Sequence, residues 1–182
     1  MSVWKHKKCC DLCCMQTATT FGDVLITPIS ETDNASLAKM IREVLTEYDA
    51  NKPGTVFTDP TTDNLYALFQ TPKSHYYVAK QGSEVVGACG IYPTKGMPDG
   101  CTELVKLYVN KAHRGTGLGK HLLLLSIEAA RQEGYSEVYL ETLPELHNAI
   151  GLYEHLGFDY LNKPYGDSGH FACDIWMRKP LI

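Results

Sequence analysis

The 182 residues carry 17 Lys plus Arg against 21 Asp plus Glu, a formal net charge of −4, with 44% hydrophobic and 21% charged residues. This is globular composition, long enough for one domain to bury roughly 70% of its unfolded surface. The acidic balance argues against nucleic-acid and anionic-membrane binding, and no stretch approaches the ~18 consecutive apolar residues of a transmembrane helix.

The first 20 residues hold four of the seven cysteines, at Cys9, Cys10, Cys13 and Cys14. The basic start from Lys5 to Lys8 is not followed by an apolar run of ~7–15 residues, so no export signal is read. A cytoplasmic protein without structural disulfides is the expectation. The C-C-x-x-C-C pattern has no second ligand pair ~12–20 residues on, as structural zinc needs, and no thioredoxin-like context. Lipidation beside the basic patch is a further reading. The expectation is a disordered Cys-rich extension over residues 1–21, with translation starting at Met1 or Met15. One domain then fills residues 22–182, and no metal site is expected.

Val24 to Pro28 predicts a short strand. Ser30, Thr32 and Asn34 offer N-caps for the next helix, where Leu37, Met40, Ile41, Leu45 and Tyr48 recur at helical spacing. Asn51-Lys52-Pro53-Gly54 stops it. A second helix is expected over residues 61–70, with Leu65, Leu68 and Phe69 as its stripe. His75 to Lys80 and Glu84 to Tyr92 predict a hairpin across Gln81-Gly82. Cys101 to Val109 predicts a strand with Glu103, Val105, Leu107 and Val109 on one face and Leu104, Lys106 and Tyr108 on the other. Leu118, Leu122, Leu125, Ala129 and Ala130 mark the strongest helix, which runs to Gly134. Glu137 to Glu141 predicts a strand, and Leu146 to Leu156 a helix closed by Gly157. Residues 158–161 and 171–177 predict a closing strand pair. The order is β-α-α-β-β-β-α-β-α-β-β, an α/β fold on a sheet of mixed direction.

The sharpest feature is the strand-to-helix turn His113-Arg114-Gly115-Thr116-Gly117-Leu118-Gly119-Lys120. Glycines let successive N–H groups point into one concavity, and the helix dipole adds positive potential there. The turn is an anion site, most often for phosphate. It is not a Walker A loop, because Gly119-Lys120 is followed by His121 and Arg114 stands where the first glycine belongs. It is not a Rossmann fingerprint either, because its glycines fall at 115, 117 and 119.

The turn reads Arg-x-x-Gly-x-Gly. Together with Glu103-Leu104-Val105-Lys106-Leu107-Tyr108-Val109 before it and Leu152-Tyr153-Glu154-His155-Leu156-Gly157-Phe158 after it, it resembles the GNAT superfamily of acetyl-CoA-dependent N-acetyltransferases over about residues 22–182. The resemblance implies a mostly antiparallel central sheet flanked by helices, with splayed central strands. It implies acetyl-CoA as co-substrate, its pyrophosphate held by Arg114, Gly115, Thr116, Gly117, Gly119 and Lys120. It implies that the main chain of Leu107 and Val109 pairs with the pantetheine arm by strand addition.

The implied chemistry is direct attack of an amine on the thioester in a ternary complex. Glu103 matches the family's base; its alternative is to orient substrate or pair with Lys106 or a loop cation. Tyr153 matches the tyrosine that protonates the leaving thiolate; its alternative is a core aromatic. One departure stands out: Leu146 occupies the place of the family asparagine three residues before Ala149. Relatives take acceptor specificity from the first-helix region and the loop after it, which makes Tyr48, Asp49, Asn51, Thr55 and Asp59 candidates here, with His170 on the later segment. Cys101 and Cys173 read as small core residues. The partner is a small-molecule or peptide amine, and a homodimer is left open. The competing reading from another class is a non-catalytic module that senses acyl-CoA.

Overall fold

The computed structural model describes residues 18–181. The cysteine cluster and the two candidate start sites lie outside the described residues. Eight strands form one sheet: β1 (Thr19–Phe21), β2 (Val24–Pro28), β3 (His75–Gln81), β4 (Glu84–Tyr92), β5 (Cys101–Val109), β6 (Glu137–Thr142), β7 (Asp159–Leu161) and β8 (Ile175–Pro180). Their order is β1-β2-β3-β4-β5-β6-β8-β7. Every neighbouring pair is antiparallel except β5 with β6. The helices are α1 (Asn34–Glu47), α2 (Leu65–Leu68), α3 (Leu118–Gln132) and α4 (His147–His155).

The sheet separates two apolar layers. On one face α3 packs Leu118, Leu122, Leu123 and Ile127 against Tyr77, Ala79, Cys89 and Ile91 of the central strands. On the other, α1 packs Leu37, Met40, Ile41 and Leu45 against Tyr76, Val78, Ala88 and Tyr108. The predicted stripes of both helices are their buried faces, apart from Tyr48 and Leu125, which are half-buried. Among the described residues no helix is long and apolar enough to cross a membrane.

Four expectations are corrected. A strand at Thr19–Phe21 precedes the first predicted one, in a polar stretch with little β signal beyond Phe21. The second helix shortens to α2, because Asp59 and Pro60 start a 3-10 turn over Pro60–Asn64 that takes its first four residues. The closing strand begins at Ile175, four residues later than expected, because Phe171–Asp174 turn back over Gly54, where Ala172 N–H donates to the Gly54 carbonyl at 3.1 Å.

The fourth correction bears on the site. β5 does not alternate throughout. Its pairing with β4 shifts register at Ala88/Gly90, so Lys106 and Leu107 together oppose Cys89. Lys106 takes a φ of 52° to make this bulge. The bulge reverses the phase of the strand. Val105 faces the α1 layer, whereas Leu107 and Val109 face the α3 layer. Lys106 bonds Asp59 in the loop between α1 and α2.

Candidate active site

The parallel β5–β6 pairing covers only Cys101–Glu103 against Glu137–Tyr139. Past Glu103 the two strands diverge, and a cavity of about 690 Å³ opens between them. Two adjacent parallel strands with one unpaired stretch expose main-chain donors and acceptors that nothing in the sheet satisfies. Leu107 and Val109 line this gap, with Tyr153 of α4 across it. The Val109 carbonyl is engaged from its own chain by Arg114 Nε at 2.9 Å.

One end of the cavity is the glycine turn. Gly115, Gly117, Gly119 and Lys120 line it. Gly117 has a φ of 96°, which a Cβ would strain, and it caps the 15-residue α3. The first N–H groups of a helix have no partner four residues back, so this end presents free amides at the positive pole of a long dipole. Thr116 does not line the cavity; its hydroxyl donates to the His113 carbonyl at 2.8 Å and shapes the turn. Arg114 lies over the Tyr48 ring at 5.0 Å and bonds Glu47 at 2.6 Å. Its second terminal nitrogen is buried without a partner among the described residues.

The other end is acidic. Glu103 is 4% exposed and accepts a hydrogen bond from the Thr94 hydroxyl. Burial pushes its carboxyl up to about 7, although the Thr94 bond works in the opposite direction. Glu141 on β6 accepts from Tyr139 Oη at 2.8 Å and from Ser168 Oγ at 2.7 Å. His170 completes a triad whose nearest polar atoms lie within 4.8 Å of one another. Behind it, Asp59 Oδ2 meets Lys106 Nζ at 2.6 Å and His170 Nε2 at 3.3 Å. Burial alone would raise the Asp59 carboxyl, but the His170 bond and the Lys106 charge hold it well below its usual 3.8.

The remaining sequence candidates divide. Tyr48 lines the cavity and accepts from Asn148 Nδ2 at 3.0 Å. Thr55 also lines it, but its hydroxyl is turned back to the Ala50 and Lys52 carbonyls, so it holds its own loop. Asn51 is exposed and Asp49, with a φ of 54°, ends the helix; neither lines the cavity. Lys106 pairs with Asp59, not with Glu103. Sequence reasoning missed Glu141, Lys106 and Asn148, all of which line the cavity. The only sequence signal for Glu141 was a carboxylate directly after the apolar run Val138–Leu140. Burial pushes the Tyr153 hydroxyl well above its ordinary 10.0.

Residues 40–158 match the model of the Acetyltransferase (GNAT) family. The chain is 42% identical over 151 residues to the uncharacterized N-acetyltransferase YjgM of Escherichia coli K12, covering 82% of this chain and 90% of that protein. It is 32% identical over 136 residues to human N-acetyltransferase 8, covering 71% of this chain and 57% of that protein. A GNAT-family acetyltransferase from Staphylococcus aureus Mu50 superimposes with a TM-score of 0.75 at 18% identity, over 87% of this chain and 99% of that one. The yncA structure from Salmonella typhimurium, solved with its cofactor acetyl-CoA, superimposes at 0.67 with 21% identity, over 88% and 95%. The family match over the glycine turn, the bulged strand and α4, joined to this fold, shows that the chain belongs to the GNAT acetyltransferase family.

Proposed function

We propose that this protein transfers the acetyl group of acetyl-CoA to a primary amine of a small molecule or peptide, by direct attack within a ternary complex. The observation that carries the reading is a buried carboxyl, Glu103, held near neutrality at the far end of a cavity whose other end is an amide-lined anion turn. The residues present fit the co-substrate. The amides of Gly115, Gly117, Gly119 and Lys120 and the Lys120 ammonium suit a pyrophosphate. The diverging edge of β5 at Leu107 and Val109 suits an amide-bearing arm. Acetyl-CoA supplies a thioester carbonyl open to an amine.

Amines arrive protonated at pH 7, since their pKa lies near 10. Glu103, poised near 7, first takes a proton from the ammonium; the freed lone pair then attacks the thioester carbonyl, forming the C–N bond as the C–S bond breaks. Tyr153 retains its own proton because burial disfavours the phenolate. It therefore carries a proton that it can donate to the developing thiolate. Burial pushes the Cys173 thiol up to about 12, which makes it a protonated part of the cavity wall. That supports direct transfer over an acyl-cysteine route.

Thiol release from acetyl-CoA across a panel of amines tests the reading. Turnover with at least one primary amine is expected. Tight acetyl-CoA binding with no thiol release from any amine would leave the chain a non-catalytic acyl-CoA sensor.

A further inference from the structure

The acidic end of the cavity carries more than a single base needs. Glu103, Glu141 and His170 each offer a polar atom within 4.8 Å of the others. An ammonium donates three hydrogen bonds in tetrahedral directions, and at ~2.8 Å per bond its acceptors stand about 4.6 Å apart. A tetrahedral zinc ion would draw its ligand atoms in to about 3.4 Å, which the 4.8 Å limit also admits, so it is the amine acceptor of the proposed reaction that favours the ammonium. The triad is also oriented in advance. Tyr139 and Ser168 hydroxyls fix both Glu141 oxygens, Thr94 fixes one Glu103 oxygen, and Asp59 holds His170. Each carboxylate oxygen keeps a further lone pair for a ligand.

Charge at this end is one-sided. Lys106, the cation on the same strand as Glu103, is already bound to Asp59. A carboxylate beside the incoming amine would face Glu103 and Glu141 without a free cation from that strand. Val56 and Leu143 line the same cavity and suit an alkyl chain.

We propose that Glu103, Glu141 and His170 form a tripod that captures the acceptor as a primary alkylammonium with no adjacent carboxylate, Glu141 being the specificity-determining residue. This rests on the acetyltransferase reading above. Glu141 holds the ammonium in place, and Glu103 then takes one of its protons.

The test is calorimetric titration of n-butylamine, and of norvaline as its carboxylate-bearing counterpart, at pH 7 into the full chain saturated with CoA. In the unsubstituted chain, butylamine binds at least tenfold tighter than norvaline. Glu141→Gln weakens butylamine at least tenfold while acetyl-CoA affinity stays within twofold, and Glu141→Asp recovers most of the loss. Equal binding of the two amines, or butylamine binding indifferent to Glu141→Gln, overturns the tripod. So does zinc held tightly by a chain whose butylamine affinity ignores Glu141. If Glu141→Gln does not fold, Ser168→Ala removes one bond that orients Glu141; about threefold weaker butylamine binding is expected, and a loss under twofold overturns the proposal. Butylamine binding that follows Glu141 without any acetylation would sink the acetyltransferase reading alone. Acetylation of amines indifferent to Glu141 would sink the tripod alone.

Discussion

Glu103 is buried at one end of the cavity and Asp59 is half-buried behind it, yet their environments push the two carboxyls in opposite directions. Burial raises Glu103 to about 7 from 4.5, since Lys106 bonds Asp59 and not Glu103. Its protonated form favours the fold, so its stability contribution is complete below about pH 4.5 and is lost as pH rises to about 7. Glu103→Gln is expected to remove that loss, which amounts to about 3 kcal/mol at most. It is also expected to flatten the rise of kcat/KM through about pH 7 and lower the plateau about 100-fold. Parallel melting and rate profiles from pH 4 to 9 check both; matching profiles in variant and parent would remove the base assignment. Asp59 lies below 3.8, so its contribution is present above that value and is lost as pH falls further. Asp59→Ala strands a Lys106 whose side chain is 3% exposed, and a loss of about 3–5 kcal/mol in denaturant melts is expected. Tyr153→Phe keeps the ring packed on Phe158 and removes only the hydroxyl. Turnover is expected to fall with acetyl-CoA affinity within about twofold; unaltered turnover would make Tyr153 a core aromatic only.

At the scale of elements, the bulge in β5 decides the site. Strict alternation puts Glu103, Leu107 and Val109 on one face, but the extra residue at Lys106 sends Leu107 and Val109 to the α3 layer. The bulge was not legible because Lys106 is not glycine; only pairing with β4 reveals that its φ is positive. On its other side β4 packs closely against β3 next to the bulge. A Cβ on Gly90 would stand 2.2 Å from the His75 carbonyl and 2.5 Å from the Tyr76 ring. Gly90→Ala is therefore expected to cost about 3 kcal/mol in urea melts and to disturb the β3–β4 register beside the bulge. A neutral substitution would mean that the hairpin is loose there. The position of the glycine turn at the start of α3 was legible, because its spelling is local.

For the whole molecule, the divergence of β5 from β6 joins the two apolar layers through one cavity. Ligand occupying it should tie α3 and its turn to α4 and the β6 edge. CoA at 100 times its Kd is expected to stabilise the fold by about 2.7 kcal/mol, a rise in Tm of about 5–10 °C for a chain of this size. Gly117→Ala, which strains the turn at a φ of 96°, should blunt that rise at equal CoA concentration. A full shift in the variant would place CoA elsewhere.

The sequence by itself determined the element order from β2 onward, the α/β class, the glycine-rich strand-to-helix turn, and Glu103 and Tyr153 as the groups to examine. These are local patterns: periodicity, caps and glycine spacing act within one or two turns of chain. Only the tertiary structure decided the bulge, the pairing of Lys106 with Asp59, and the meeting of Glu141 and His170 with Glu103. Those contacts join β5 to the loop between α1 and α2, to β6 and to residue 170. Which of several carboxylates and cations come together over such distances is set by strand register and loop path, and no local pattern encodes either.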